Sequence, residues 1–164
     1  MFREYLWLLR PTIHHNNNRK RVKNHNHTLT RSERLRGKKT TDILFGGSGG
    51  RALSAFPLRM VYMNVPRTDG EPAAQMLVSV AKRRLRHAVD RNRVKRQVRE
   101  AYRLNKHKLH SGGTDKTLIA FIYLDNKLHN SRLIAARMER LLQRLGERQM
   151  KTAYPGEANK FLTK

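Results

Sequence analysis

Apolar and polar positions divide the chain into recognisable stretches. Thr117-Leu118-Ile119-Ala120-Phe121-Ile122-Tyr123 is an unbroken apolar run rich in β-branched and aromatic residues, the strongest strand pattern in the sequence. Phe56 to Val65 alternates in part, with Phe56, Leu58, Met60 and Tyr62 on one side and Arg59 on the other. It reads as a strand whose start lies at an edge or end, because Pro57 has no N–H to give to a ladder. Met76 to Ala81 is a second apolar strand, and the turn Pro66-Arg67-Thr68-Asp69-Gly70 between them suggests a hairpin. Ahead of these, Leu35, Ile43, Leu44 and Phe45 form an imperfect helical stripe, with Thr30 or Ser32 as its cap and the glycine run from Gly46 to Gly50 as its end. Leu133, Ile134, Arg137, Met138, Leu141, Leu142 and Leu145 recur at helical spacing and predict a closing helix packed on a core. The order helix, strands, helix, strand, helix implies an α+β fold, a two-layer sandwich with helices on a small sheet.

The segment from Lys82 to Arg103 has a different pattern. It holds ten Lys and Arg (82, 83, 84, 86, 91, 93, 95, 96, 99 and 103) against Asp90 and Glu100, a net charge of +8 in 22 residues. On a helical wheel of about 100° per residue, Asn92, Lys95, Arg96, Arg99 and Arg103 fall within an arc of about 100°, and Val94, Val98 and Ala101 lie opposite. One face is built to enter a core and the other is a cationic strip. Like charges at i, i+4 cost an isolated helix a few tenths of a kcal/mol per pair, and a phosphate backbone would relieve that cost. Asn92, uncharged within the strip, can donate to and accept from a ribose, a base edge or a hydrated ion. Asp90 and Glu100 are placed to steady neighbouring arginines.

Composition agrees with this. The 164 residues carry 36 Lys and Arg against 12 Asp and Glu, a formal charge of +24, and 38% are apolar, enough for one modest core. A large multidomain enzyme is excluded, and the absence of cysteine excludes disulfides, thiolate metal sites and a thiol nucleophile. Gly37-Lys38-Lys39-Thr40 lacks the upstream glycine of a phosphate-cradling loop. The few carboxylates form no metal-binding spacing of the kind a two-metal nuclease needs. No stretch approaches the length of a membrane span, and the apolar run Tyr5 to Leu9 is too short for a secretory signal, so a non-exported, cytoplasmic protein without membrane contact is expected.

Three regions follow. Residues 1–28, rich in Asn and His, are expected to be a disordered basic extension. His14, His15, His25 and His27 invite a metal reading that no nearby carboxylate supports; a basic tail with non-specific RNA affinity, or a segment outside the natural product, are the other readings. Residues 29–149 form the domain, and 150–164 a polar tail.

Arg91-Asn92-Arg93-Val94-Lys95-Arg96, continued by Arg99-Glu100 and Tyr102-Arg103, resembles the signature of the bacterial ribonuclease P protein family. Val78-Ser79-Val80-Ala81-Lys82-Arg83 is similar to the strand preceding it, and the likeness takes in Arg34-Leu35, Phe45 and the run from Thr117 to Tyr123, over roughly 29–148. The resemblance implies an αβββαβα sandwich with a left-handed crossover, against the usual right-handed rule. It implies a subunit of an endonuclease whose RNA, using Mg²⁺, hydrolyses the phosphodiester that joins the 5′ leader to precursor tRNA. The partners implied are that catalytic RNA, one to one, and the leader. Lys82, Arg83, Arg91, Asn92, Arg93, Lys95, Arg96, Arg99 and Arg103 carry over as RNA contacts. A leader cleft between sheet and first helix would use Phe45, Phe56, Arg59 and Tyr62. Two departures stand out: Thr41 replaces an aromatic common one turn before Phe45, and Met76-Leu77 stands where glycine usually precedes the apolar run. The competing class is a non-enzymatic RNA binder such as a small ribosomal protein. A DNA-binding reading is weaker, as no recognition-helix pair with a short turn is visible.

Overall fold

The structure, a computed structural model, describes residues 28–46, 49–109 and 114–153. The expected extension 1–28 and tail 150–164 lie almost entirely outside these residues. The elements are α1 (Lys38–Gly46), β1 (Arg51–Ala55), β2 (Leu58–Pro66), β3 (Ala74–Val80), α2 (Ala88–Asn105), a 3₁₀ turn (Lys106–Lys108), β4 (Asp115–Tyr123) and α3 (Ser131–Ala153). The order is αβββαβα, as the family resemblance implied.

The strands lie in the order β1-β2-β4-β3. β1 and β2 form an antiparallel hairpin, β2 pairs antiparallel with β4, and β3 pairs parallel with β4. The expected hairpin of the second and third strands is therefore corrected: β4 inserts between them, because the most apolar strand takes the most shielded place in the sheet. The turn Pro66 to Gly70 redirects the chain without pairing its flanks. β1, whose burial pattern is largely exposed, has too little apolar alternation to be foreseen.

The start of the first helix is also corrected. Thr30 and Glu33 form a reciprocal cap, with the Thr30 N–H on Glu33 Oε2 at 2.7 Å and the Glu33 N–H on Thr30 Oγ1 at 3.4 Å, but this closes only a turn. The backbone then runs extended beside β3, with the Leu35 N–H on the Met76 carbonyl at 2.9 Å and the Met76 N–H on the Glu33 carbonyl at 2.8 Å. Gly37, at φ +96°, makes the break that a side chain would resist, and α1 starts at Lys38.

Alternation along the strands gives the sheet two faces. Leu53, Leu58, Met60, Tyr62, Met76, Val80, Ile119, Phe121 and Tyr123 meet Val94, Val98, Ala101 and Tyr102 of α2 and Ile134, Met138, Leu141, Leu142 and Leu145 of α3 in the main core. The closing helix packs as its periodicity predicts. Gly146 lets α3 approach the 3₁₀ turn, since a Cβ there would lie 2.6 Å from the Lys108 carbonyl oxygen. On the other face α1 lays Leu44 on Leu118 and Ala120, with Leu35 beside them and Val61, Met63, Val65 and Leu77 around.

Candidate nucleic-acid interface

The basic helix is fixed to the core on one side only. Val94 and Val98 are fully buried and Ala101 and Tyr102 nearly so, which orients the opposite arc outward. Asn92, Arg93, Arg96 and Arg99 are exposed, and Lys95 is half-buried at the arc's edge. Arg93, Arg96 and Arg99 make no hydrogen bond or ion pair with another described residue. They are available to a ligand.

Two arginines of α2 are engaged within the protein. Arg91 donates to the carbonyl oxygens of Leu85 at 3.0 Å and Arg86 at 2.6 Å, tying the incoming chain to the start of α2. His87, at the N-cap position, supplies no side-chain cap, and the Arg91 bonds fix the entry of the chain into the helix from the carbonyl side instead. Asp90, in the first turn, suits the positive end of the helix dipole. Arg103 forms a two-pronged pair with Glu100, Nε to Oε2 at 2.8 Å and Nη2 to Oε1 at 2.6 Å. That bond holds the Glu100 carboxyl below its ordinary range. Of the two acids expected to steady arginines, Glu100 does so directly.

Lys82 and Arg83 stand exposed in the turn after β3, where the Arg84 and Leu85 N–H groups close back on the Ala81 carbonyl and Leu85 anchors the turn in the core. On the other side, Lys106 Nζ donates to the Thr28 carbonyl and Glu33 Oε1, each at 2.6 Å. This clasp holds residues 28–34 alongside α2. Between them lies a cavity of about 630 Å³ lined by Thr28, Leu29, Arg34, Arg96, Arg99, Glu100 and Arg103. Arg34 thus joins the strip, a member that an isolated arginine in an aperiodic segment does not reveal.

The four candidate cleft residues are not brought together. Arg59 is exposed on the sheet face that carries α1, in register with Ile122, and Phe45 is half-exposed at the end of α1 beside Leu44. Tyr62 is corrected: two residues of alternation from Met60 turn it into the main core, where it is 4% exposed and its hydroxyl accepts from Arg148 Nη1 at 3.2 Å. Phe56 lies in the β1–β2 turn with its ring edge-on to His129, 6.3 Å between centroids, on the α3 side of the sheet.

The loop from Leu124 to Asn130 joins this turn to α2. Its backbone begins on the Pro57 carbonyl, through the Leu124 N–H at 2.9 Å. Asp125 Oδ2 meets His129 Nε2 at 2.6 Å, a contact that lowers the Asp125 pKa. The Tyr123 hydroxyl donates to the Lys127 carbonyl. Burial, and then the Asp125 charge, push that phenol up to about 12. Gln97 of α2 donates to the His129 carbonyl at 3.2 Å and Ser131 Oγ at 3.0 Å, and Arg84 donates to Asn126 Oδ1 at 3.3 Å.

Among the described residues no group of three or more His, Cys, Asp or Glu side chains is arranged to hold a metal ion, and no helix is long and apolar enough to cross a membrane.

Comparison with known proteins gives consistent matches. The family model described as Ribonuclease P matches residues 29–146. A protein of Porphyromonas gingivalis named ribonuclease P protein component is 43% identical over 123 residues, covering 71% of this chain and 85% of its own length. One of the same name from Chlorobaculum tepidum is 36% identical over 104 residues, covering 58% and 66%. Among solved structures, the RNase P protein from Thermotoga maritima shares the fold, with a TM-score of 0.53 at 22% identity over 68% of this chain and 96% of that one.

Proposed function

The chain belongs to the ribonuclease P protein family, and from that premise we propose how its surface serves the enzyme. As the protein component of an endoribonuclease that processes tRNA, its partner is the ribonuclease P RNA. In our reading that RNA lies along the exposed arc of α2, with Arg93, Arg96 and Arg99 on phosphates, Asn92 on a ribose or base edge, Lys95 at the margin, and Lys82 and Arg83 extending the contact beyond the helix. The observation that carries this is the one-sided burial of α2, which leaves the Arg93, Arg96 and Arg99 guanidinium groups without partners among the described residues. Arg103 is held by Glu100 and acts as a positioned neighbour.

The precursor tRNA leader is assigned to the sheet face flanked by α1, with Arg59 for a phosphate and Phe45 for a base, a stacking contact worth about 1–3 kcal/mol. Catalysis is assigned to the RNA, with Mg²⁺ held there. No step runs through a metal on this chain. The protein lowers the repulsion between two polyanions and fixes the leader's path, one protein per RNA, in the cytoplasm.

Reconstitution tests this directly. The full chain is added to a bacterial ribonuclease P RNA at low Mg²⁺ and release of the 5′ leader from precursor tRNA is followed. Stimulated cleavage is expected; RNA binding without stimulation refutes the proposal.

A further inference from the structure

Phe56 is 60% exposed, more than Phe45, and is not part of the α1 face. Its ring is supported from behind. His129 meets it edge-on at an interplanar angle of 81°, and the His129 ring in turn lies 6.4 Å from that of buried Tyr123. Asp125 holds the imidazole through Nε2. The three rings form a short series of edge contacts running from the core to the surface, and its outermost member has an open side.

The surroundings favour one kind of occupant. Lys82, Arg83, Arg84, Lys127 and Arg132 are exposed in the segments that meet at this loop. The loop's one carboxylate, Asp125, is occupied by His129 and by the N–H groups of Asn126 and Lys127. An aromatic ring set among cations, with the nearby acid already engaged in hydrogen bonds within its own loop, suits a nucleobase whose phosphates meet those cations. The bonds from Gln97 to His129 and Ser131 place this loop against the flank of α2, about one helical turn from Arg93, so an RNA that extends from the strip onto this loop would meet the ring. The α1 platform lies elsewhere: α1 packs on Leu118 and Ala120, three to five residues or ~10–17 Å along β4 from Tyr123, and on the opposite face.

We infer that Phe56, backed by His129, is a stacking platform for an unpaired base of the same ribonuclease P RNA that lies on the α2 strip. This rests on the function proposed above and adds a second aromatic site, distinct from the leader's. His129 is a positioning residue, and Phe56 makes the contact.

The test measures binding of the full chain to the ribonuclease P RNA of Porphyromonas gingivalis, and separately to a single-stranded leader oligonucleotide, between 0.1 and 0.4 M KCl. Phe56→Ala is expected to weaken binding to the large RNA about tenfold, within the ~5- to 150-fold that one stacked base is worth. The factor should be the same at every salt concentration, because stacking releases no counterions. Phe56→Tyr should restore binding, whereas Phe56→Leu, apolar but without a π-face, should behave as Phe56→Ala. Unfolding midpoints confirm that the variants remain folded. An unchanged affinity in Phe56→Ala, or full binding by Phe56→Leu, overturns the inference while leaving the α2 interface intact. Loss confined to the leader oligonucleotide overturns the assignment to the large RNA. If the unsubstituted chain does not bind the large RNA at all, the functional proposal itself fails.

Discussion

Removing Arg96 and Arg99 together tests the division of the α2 arginines into available and engaged groups. Both are exposed, line the same cavity as Arg34, and have no partner among the described residues. Each phosphate neutralised contributes about 0.7–0.9 to the slope of log K against log salt. The double substitution R96A/R99A should therefore flatten the slope by about 1.4–1.8. Relative to the 1 M reference, where this contribution vanishes, affinity at 0.1 M should fall roughly 25- to 60-fold, or ~2 kcal/mol. Fluorescence anisotropy titrations of labelled ribonuclease P RNA over a salt series give both quantities. Two controls sharpen the comparison. Arg91→Ala, which removes hydrogen bonds to Leu85 and Arg86, should leave the slope unchanged and instead cost about 1–3 kcal/mol of folding stability. Glu100→Gln frees Arg103 from its ion pair and should steepen the slope. The reasoning is refuted if R96A/R99A keeps the original slope, or if Arg91→Ala flattens it as much as Arg96→Ala.

Other outcomes follow from packing and titration. Gly146→Ala drives a Cβ to within 2.6 Å of the Lys108 carbonyl oxygen and should destabilise the fold by about 1–3 kcal/mol in urea unfolding; an unaltered midpoint would mean that α3 and the 3₁₀ turn separate freely. Tyr62→Phe removes the hydroxyl that Arg148 binds and should cost about 1 kcal/mol of stability without changing leader affinity, whereas a leader defect would return Tyr62 to the cleft. The Tyr123 phenol has its pKa raised in the folded state, so its contribution to stability is full below pH 10 and is lost as pH rises through about 12. An ultraviolet titration should show a late-ionising tyrosine near that pH that disappears in Tyr123→Phe.

The legible parts of the fold were those where one physical requirement acted alone. α2 and α3 each bury a single stripe, so Val94, Val98, Ile134, Met138 and Leu142 announced themselves by spacing. Strand order was not legible. Alternation shows which residues face a core, but nothing local in β2 or β3 says that β4 will lie between them. The Thr30–Glu33 cap misled for a related reason: the same bonds close a helix or a lone turn, and backbone pairing with the distant Met76, not the cap, decides which.

 Met76 is more than forty positions along the chain from either capping residue, too far for any local pattern to report the pairing. In the site, charge and spacing located the strip but did not show which cations were already engaged. Arg91 and Arg103 look like Arg96 and Arg99 in sequence, and only the carbonyls of Leu85 and Arg86 and the carboxylate of Glu100 separate them. Tyr62 was misplaced because β2 offers apolar side chains to both faces, Leu58 and Met60 on one and Val61 and Met63 on the other, and its neighbours do not reveal which face α1 covers.

The extended stretch from Glu33 to Leu35 has a consequence for how the protein behaves in company. A sheet margin left bare presents unpaired N–H and C=O groups to any other strand. Here the β3 margin is partly occupied by the chain's own backbone at Met76. The opposite margin, β1, has only five residues and begins at exposed Arg51. A protein whose charge of +24 is neutralised when RNA binds loses the repulsion that keeps copies apart. Sheltered margins then guard against strand-to-strand aggregation at the moment when electrostatics no longer does.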